Sequence, residues 1–583
     1  MCGTDLRPLS IVRGEGFKNF CKELNPSYLV PSTNTVSKYL HLIYDDLKKE
    51  VKHELTNSCV SLTTDLWTSI NTRGFITVTA HYVTSQWTLK SLIIATRPVD
   101  DKHTGANIAS CLEEIKNEFG IQTIFALVTD NAANMLTASQ VAGVMHVSCY
   151  SHSLQLAIND GLKIASVSRA IAAGRRLVAH FNRSSSATQA LIRHQKILGL
   201  DNPLHLVQDV STRWNSTYAM MKRLLTLRIP VYAVIMDSSV TKSTDRMGLD
   251  IPDSSWKVME DITPILEPLA EATQVLTKED QPTSSAVYII VKNLWLGLLP
   301  SDLDDGAARD LKKAIQTSLA NRFKLDDVGE PKEEVLKGPL MTACALDPRY
   351  KSLRFISPHK RVVVHDNLLV LMEEINNDGT QNQGTQNTVT SSNVVVKQEP
   401  GSGTLESNQS AKGQVLNWLR GDVVDLTGPE NSTSHEAELE RFISEKVHVH
   451  DPLLWWQKNE AQFPYLAKLA SKFLGIPATE VASERSFSVA GLTLTKLRAT
   501  LEPEHVDQII FIHKNHHFLA NQDMSQVQST AGATTQPNPI PEQTQAIPGT
   551  SGAYSGTAAS ANVEPMAPKQ VKTWLTLMRT NRD

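Results

Sequence analysis

Apolar residues recur at helical spacing near the start of the chain and then change to the alternation of β-strands. Residues 10–56 are predicted to be helical, because apolar positions repeat every three to four residues after a candidate cap at Ser32 or Thr33. From Cys59 onward, β-branched and aromatic residues alternate with polar ones. This pattern predicts three successive strands, Val60 to Trp67, Gly74 to Val83 and Trp87 to Arg97.

A helix and a buried strand follow these three strands. Gly105 to Phe119 is amphipathic, and the run Ile124 to Val128 is apolar and leads directly into Asp130. Three antiparallel strands, a helical crossover and a parallel fourth strand are how an RNase H-like sheet begins. We therefore predict an α+β fold with an RNase H-like core.

The rest of the chain is mostly helical until its composition changes. Helical patterns continue from 131 to 375, and residues 376–436 are then rich in Asn, Gln, Thr, Ser and Gly. Such a segment has too few large apolar residues to bury, so we expect it to be disordered. The tail 521–583 is similar in composition over most of its length, and we expect it to be mostly disordered.

Composition and charge narrow the functional classes. The chain has 583 residues, of which 41% are hydrophobic and 20% are charged. Its net charge is −4, so any affinity for nucleic acid must come from local basic patches. The six cysteines have no Cys-x-x-Cys spacing, which fits a reducing compartment and argues against a cysteine-rich zinc module. No apolar run approaches the roughly 18 residues that a membrane span needs.

Three acidic residues are the strongest candidates for chemistry. Asp65 lies on the first predicted strand, Asp130 directly follows the fourth, and Glu484 lies on a helix predicted to begin near Pro477. Two-metal phosphoryl chemistry needs carboxylates that converge from different elements, and these positions meet that need. The alternative is structural, since aspartate after a buried strand is common and Asp65 could cap a turn beside Trp67.

Five motifs that occur in one order resemble the hAT family of DNA transposases, and in particular its zinc finger BED domain-containing branch. They are Thr63 to Ser69, Val128 to Met135, Cys149 with His152, Thr212 to Ser216, and Ser483 to Ser488. The resemblance implies an RNase H-like catalytic core interrupted by a large all-helical insertion. It also implies Asp65, Asp130 and Glu484 as the catalytic, metal-binding carboxylates, with Mg²⁺ or Mn²⁺ as the cofactor of an active enzyme.

The same resemblance suggests roles for two further motifs. Trp214 matches an aromatic residue that stacks on a DNA base in active relatives, and Arg213 beside it is a second DNA-binding candidate; the alternative for Trp214 is a core tryptophan. Cys149 and His152 match a Cys-x-x-His motif beside the active site. They are weak metal candidates, because one such pair is half of a zinc site at most and packing is the alternative.

The resemblance also implies a dimerisation region near the C-terminus. Its helical contact candidates are Ala467 to Phe473 and Val506 to Ile512. We therefore divide the chain into six parts: a helical N-terminal subdomain of the kind that follows a BED finger (1–56), the first part of the RNase H-like core (57–230), the helical insertion (231–375), the disordered polar insert (376–436), the hAT C-terminal dimerisation region that completes the core (437–520), and the mostly disordered tail (521–583).

The polar insert contains two SUMO-type motifs, and the expected finger is missing. Lys397 lies in a SUMO-acceptor pattern, and a SUMO-interacting pattern follows at Val423, Val424, Asp425 and Leu426. SUMO-pathway proteins are therefore candidate partners. No Cys₂His₂-type finger precedes residue 5, so we expect this sequence to bind DNA weakly and to hold no finger zinc.

These features leave two functional classes open. The preferred hypothesis is a transposase-derived nuclear protein that forms a homodimer or higher oligomer and acts in DNA-associated transcriptional regulation. The alternative is a metal-dependent hAT transposase that cleaves and transfers DNA strands with the Asp65, Asp130 and Glu484 triad. A role in SUMO transfer, suggested by some BED-finger relatives, is a third and weaker hypothesis.

Overall fold

The computed structural model describes residues 1–69, 72–99, 102–304, 306–381, 434–447, 449–493 and 501–518. The SUMO-type motifs at Lys397 and at 423–426, most of the polar insert and the tail 521–583 lie outside these residues. The predictions made for those segments stay predictions.

The sheet has five strands in the order β3-β2-β1-β4-β5. β1 pairs antiparallel with β2, which pairs antiparallel with β3, whereas β1–β4 and β4–β5 are parallel pairs. The predicted mixed sheet is therefore confirmed, with β5 as an additional strand. The strands are β1 (Val60–Thr68), β2 (Gly74–Val83), β3 (Leu89–Pro98), β4 (Ile124–Thr129) and β5 (Met145–Ser148).

Helices surround the sheet and make up most of the described chain. Two short 3₁₀ helices span Leu9–Arg13 and Ser284–Ala286. The α-helices are α1 (Glu15–Leu24), α2 (Thr33–Thr56), α3 (Gly105–Phe119), α4 (Ala133–Val141), α5 (Tyr150–Leu162), α6 (Ala165–Arg183), α7 (Ser185–Ile197), α8 (Trp214–Thr226), α9 (Arg228–Met236), α10 (Ser243–Leu249), α11 (Asp253–Leu276), α12 (Val287–Gly297), α13 (Gly306–Arg322), α14 (Glu333–Leu336), α15 (Pro339–Leu346), α16 (Pro358–Gln381), α17 (Ser434–Ser444), α18 (Pro452–Asn459), α19 (Pro464–Phe473), α20 (Val481–Thr493) and α21 (Pro503–Asn515).

The two faces of the sheet belong to different apolar cores. Leu127 of β4 packs into a core with α2, α3 and α21, while its neighbours Ala126 and Val128 join a larger core built from the helices after β5. This division follows from strand geometry, because successive side chains point to opposite faces. The helical part of the protein therefore packs on the same side of β4 as Val128, two residues before Asp130.

Several predicted element boundaries need correction. Residues 25–32 separate α1 from α2 instead of continuing one helical stretch, and Ser32 is the N-cap of α2, accepting a hydrogen bond from Thr35 N. β3 begins at Leu89, because Trp87 adopts a φ of 57° in the turn that joins it to β2. β5 was missed because four residues carry too little periodic signal.

The apolar residues suggested as dimer contacts are buried within the chain, which corrects that prediction. On α21, Val506, Ile510 and Phe511 are each 0% exposed. On α19, Leu466, Leu469, Ala470 and Phe473 are likewise buried. These side chains stabilise the protomer, so a dimer would have to use other surfaces of the C-terminal region.

No helix among the described residues is long and apolar enough to cross a membrane.

Candidate metal centre

Asp65 provides the first carboxylate of the site, near the end of β1. It faces Thr77 across the antiparallel pair with β2, and its Oδ1 accepts a hydrogen bond of 2.7 Å from Leu66 N. The side chain is half-buried. β1 is central in the sheet, and its pairing with β4 ends at Thr63, so Asp65 follows directly after the part of the strand that is paired on both sides.

Two glutamates from the other end of the described chain reach the same point. Ligand oxygens of Asp65, Glu480 and Glu484 all lie within 4.8 Å of one another. Glu480 directly precedes α20, and its carbonyl accepts hydrogen bonds from Ser483 N and Glu484 N. The two glutamates are therefore one helical turn apart and project toward the same strand.

A network of hydroxyl groups holds α20 against the sheet. Ser483 Oγ lies 2.9 Å from Thr63 Oγ1 on β1 and 3.3 Å from Thr79 Oγ1 on β2. His81 Nε2 lies 3.1 Å from the same Thr63 hydroxyl, and burial lowers the pKa of His81 to about 3, so this ring is neutral. All four groups are buried. This network sets the distance between Glu484 and Asp65.

The segment before α20 is fixed by the helical part of the protein. Ala478 N donates to Thr283 Oγ1, and Ala478 O accepts from Tyr150 N, with distances of 3.0 and 2.9 Å. These tertiary hydrogen bonds hold Ala478 before the helix, and the bond from Tyr150 N occupies the carbonyl that a helix beginning near Pro477 would use for its own hydrogen bonds. They explain why α20 begins at Val481 rather than near Pro477, where the sequence predicted its start.

Asp130 lies near this cluster but outside the 4.8 Å group. It follows β4, its Oδ1 accepts from Ala132 N at 3.1 Å, and its negative charge contributes to the raised pKa values of Asp65 and Glu480. The structure thus brings Asp65 and Glu484 together with Glu480, and Asp130 flanks them. The metal-binding role of Asp130 stays a prediction.

Burial is the largest influence on the acidity of the cluster. It raises the pKa of Asp65 to about 7, which the Leu66 N–H hydrogen bond opposes and the charges of Glu484 and Asp130 reinforce. Burial likewise raises the pKa of Glu480 to about 9, helped by the charges of Asp65, Asp130 and Glu484. A cation among these carboxylates would offset the free-energy cost of burying them in ionised form and would reduce their mutual repulsion.

The donor set fits a hard divalent cation. It consists of carboxylate oxygens, which are the ligands that Mg²⁺ and Mn²⁺ prefer. Among the residues that the structure describes, Glu480 Oε2 also has no hydrogen-bond partner, and a buried carboxylate oxygen without one costs free energy unless something binds it. Asp65, Glu480 and Glu484 are therefore the residues that would hold such an ion.

Cys149 and His152 are placed by a local capping interaction. Cys149 is the N-cap of α5, and its sulfur accepts a hydrogen bond of 3.5 Å from His152 N. Cys149 is fully buried, and burial raises the pKa of its thiol well above the usual value, followed in effect by the charge of Glu480. Among the described residues, no third ligand forms a metal-sized group with this pair.

Trp214 lies in the helical core in this structure. It is the first residue of α8, only 2% exposed, and its backbone N donates to Gln155 Oε1 at 3.2 Å. Arg213 before it is exposed. Stacking of Trp214 on a DNA base stays a prediction, and it would require the side chain to leave its packed position.

Glu480 is the site residue that the sequence analysis missed. Its signal was present, because it stands four positions before Glu484. Residues at i and i+4 share one side of a helix. The family motif begins at Ser483 and does not include Glu480.

The fold and the site together define a mixed α+β protein with an acidic centre beside strand β1. Three family models match parts of the chain. The ZBED1 RNase-like domain matches 63–149, and the ZBED1 RNase-like helical domain follows it at 147–265. The hAT family C-terminal dimerisation region matches 438–516. The first division, at 147–149, coincides with the end of β5. The domain boundary predicted at 230/231 stays a prediction.

Curated relatives agree with these matches. The chain is 26% identical over 86% of its length to the "Putative AC transposase" of Zea mays and 24% identical over 88% to "Zinc finger BED domain-containing protein 4" of Homo sapiens. It is 21% identical over 83% to the "Putative transcriptional regulator tpeD" of Talaromyces stipitatus. The chain is thus a relative of hAT transposases and BED-domain proteins that carries the hAT dimerisation region. It spans 62%, 43% and 56% of the lengths of these three relatives.

Proposed function

We propose that this chain is a self-associating, DNA-associated nuclear protein of transposase origin that retains a working divalent-cation site. The observation that carries the proposal is the convergence of Asp65, Glu480 and Glu484 within 4.8 Å, from a central strand and a distant helix. Acids converging from separate elements are what metal-assisted phosphodiester chemistry requires. Self-association is supported by the match of 438–516 to the hAT dimerisation region.

The proposal includes an RNase H-like core interrupted by helices. Its support is that α20 returns to β1 and β2 after the helices that follow β5, and completes the acidic centre there. The intervening helices share one large core with β4 and β5. In this arrangement the helical part acts as a frame, because Thr283 and Tyr150 hold the backbone of Ala478 just before the site.

The chain's own residues would prepare phosphodiester cleavage by holding charge in place. A divalent cation, when bound, supplies Lewis-acid activation of a water or 3′-hydroxyl and stabilises negative charge on the phosphate. Asp65 and Glu484 provide opposite sides of the carboxylate cluster, and the Leu66 N–H fixes the orientation of Asp65. The Ser483, Thr63 and Thr79 hydroxyls keep the two sides from separating.

A second candidate is transcriptional regulation on DNA without strand transfer. Its support is the burial of Trp214, which leaves no stacking surface at that position, and the existence of a relative named as a putative transcriptional regulator. Binding to DNA through other surfaces and self-association would be sufficient for that role.

A strand-cleavage assay separates the two candidates. Supercoiled plasmid and a short duplex with free 3′-hydroxyls would be incubated with the purified chain and Mn²⁺, with and without a chelator. We expect Mn²⁺-dependent nicking or joining of the DNA, and we expect Asp65→Ala and Glu484→Ala to abolish it. Glu438→Gln is the control and should retain this activity, because Glu438 accepts hydrogen bonds from Tyr465 N and Leu466 N away from the site. DNA binding with no cleavage at all would favour the regulatory candidate.

A further inference from the structure

Glu480, which directly precedes α20, is buried more deeply than a carboxylate at a helix N-terminus usually is. It is only 2% exposed, yet its Oε2 has no hydrogen-bond partner among the residues that the structure describes. A buried carboxylate oxygen normally accepts a hydrogen bond or binds a cation, because an unpaired one loses its hydration free energy without compensation. The position of this oxygen therefore needs an explanation beyond packing.

Comparison with a second buried glutamate makes the contrast clear. Glu438 is also 2% exposed, but its Oε1 accepts two backbone hydrogen bonds, from Tyr465 N at 3.0 Å and Leu466 N at 2.8 Å, at the start of α19. Its role is thus to cap that helix. Within the part of the chain that the structure describes, Glu480 Oε2 has no such backbone donor, and the donor that acts on this carboxyl is the thiol of Cys149, which is a weak one.

The surroundings of Glu480 point to a cation. Asp65 and Glu484 lie within 4.8 Å of it, and the charges that act on it most strongly are those of acids. A buried carboxylate is usually accompanied by a lysine or arginine instead. Three ionised carboxylates at this separation repel one another, and a cation between them would compensate that repulsion.

We propose that Glu480 is a direct ligand of the divalent cation, together with Asp65 and Glu484. The metal centre of this chain would then contain two acids from the turn that opens α20, because Glu480 joins the acid Glu484 that the motif predicts. This inference rests on the proposed cation site, and it assigns to Glu480 a role that the motif Ser483 to Ser488 does not include.

The test is Mn²⁺ binding by the purified full-length chain after chelator treatment, measured by calorimetric titration and by thermal unfolding. Glu480→Gln keeps the shape of the side chain and removes its charge. We expect it to weaken Mn²⁺ binding about tenfold or more, since even an outer-shell partner is worth roughly 10–100-fold in metal affinity. The same substitution should raise the Tm of the metal-free protein near neutral pH, because the folded state no longer has to hold a proton on a buried carboxyl that is ionised in the unfolded chain.

Glu438→Gln is the matched control, because it changes an equally buried glutamate that is hydrogen-bonded. It should leave Mn²⁺ affinity within about twofold of the wild type while lowering the Tm, since a cap is weakened. Glu480→Asp, which keeps the charge but is shorter, should also weaken binding.

The outcomes separate this inference from the proposed function. Mn²⁺ binding that is lost in Glu484→Gln but unchanged in Glu480→Gln would overturn the role of Glu480 and leave the cation site in place. A wild-type chain that binds no Mn²⁺ would overturn the cation site itself. A Glu480→Gln protein with weaker binding and a lower metal-free Tm would overturn the inference too, since that pair of results describes a structural residue.

Discussion

Ser483 on α20 and Thr63 on β1 form a buried contact of 2.9 Å between their hydroxyl oxygens, although 420 positions separate them in the sequence. The contact lies immediately beside the carboxylates, because Glu484 follows Ser483 and Asp65 is two residues after Thr63. Through this contact the sheet fixes the position of α20, the helix that completes the site.

Ser483→Ala should therefore affect both stability and metal binding. The buried hydroxyls of Thr63 and Thr79 lose a partner, so we expect the free energy of unfolding to fall by about 1–2 kcal/mol. Mn²⁺ affinity should fall as well, because α20 is less firmly positioned. Denaturant unfolding and Mn²⁺ titration would measure the two effects. The control is Ser486→Ala, since the Ser486 hydroxyl donates to Ala482 O within its own helix. Equal effects of the two changes on Mn²⁺ binding would contradict the prediction.

The stability that Asp65 and Glu480 contribute to the metal-free protein should decrease as the pH rises. Burial raises the pKa of Asp65 from 3.8 to about 7 and that of Glu480 from 4.5 to about 9. The folded state therefore holds protons that the unfolded state has released, and stability is lost between about pH 4 and pH 9. Thermal unfolding at several pH values, with a chelator present, would test this.

Two comparisons sharpen the pH experiment. Glu480→Gln should lose less stability over the upper half of that range, because it removes the group with the higher pKa. Excess Mn²⁺ should oppose the loss in the wild type, since a bound cation favours the ionised carboxylates. A metal-free Glu480→Gln protein whose stability changes with pH as that of the wild type does would be inconsistent with a carboxyl buried in this way.

Ile510→Ala should destabilise the protomer itself. Ile510 is fully buried and belongs to a small core with Phe75 and Ile93 of the sheet. Truncating such a side chain costs about 2–5 kcal/mol. We expect the loss in Tm to be the same at every protein concentration, as followed by calorimetry over a dilution series. A loss that grows on dilution would instead place Ile510 in the dimer interface.

Trp214→Ala should lower stability in the absence of DNA. The side chain is 2% exposed and packs in the large helical core, so we expect a loss of about 3–5 kcal/mol. Trp214→Phe retains most of the packing and is the control. If Trp214→Ala unfolds like the wild type and loses only DNA binding, the tryptophan does not occupy the core in solution.

Much of the sheet was predictable because its strands carry strong alternation. Gly105–Phe119 was predicted with its observed bounds, since Thr104 and Gly120 provide the capping signals at its two ends. The start of α20 was not, because Ala478 bonds to Thr283 and Tyr150, and such partners are distant in sequence. Glu480 was missed for a related reason: its burial depends on β1 and α5, which no local pattern reveals.

The contact between Ser483 and Thr63 also has a consequence for synthesis of the protein on the ribosome. β1 and β2 leave the ribosome long before α20, and at about 5–20 residues per second the delay over 420 positions is roughly 20–80 s. During that time Thr63, Thr79 and Asp65 have no helix above them. The nascent chain thus cannot assemble the acidic centre, and it acquires this centre only once nearly all of its folded part has been made.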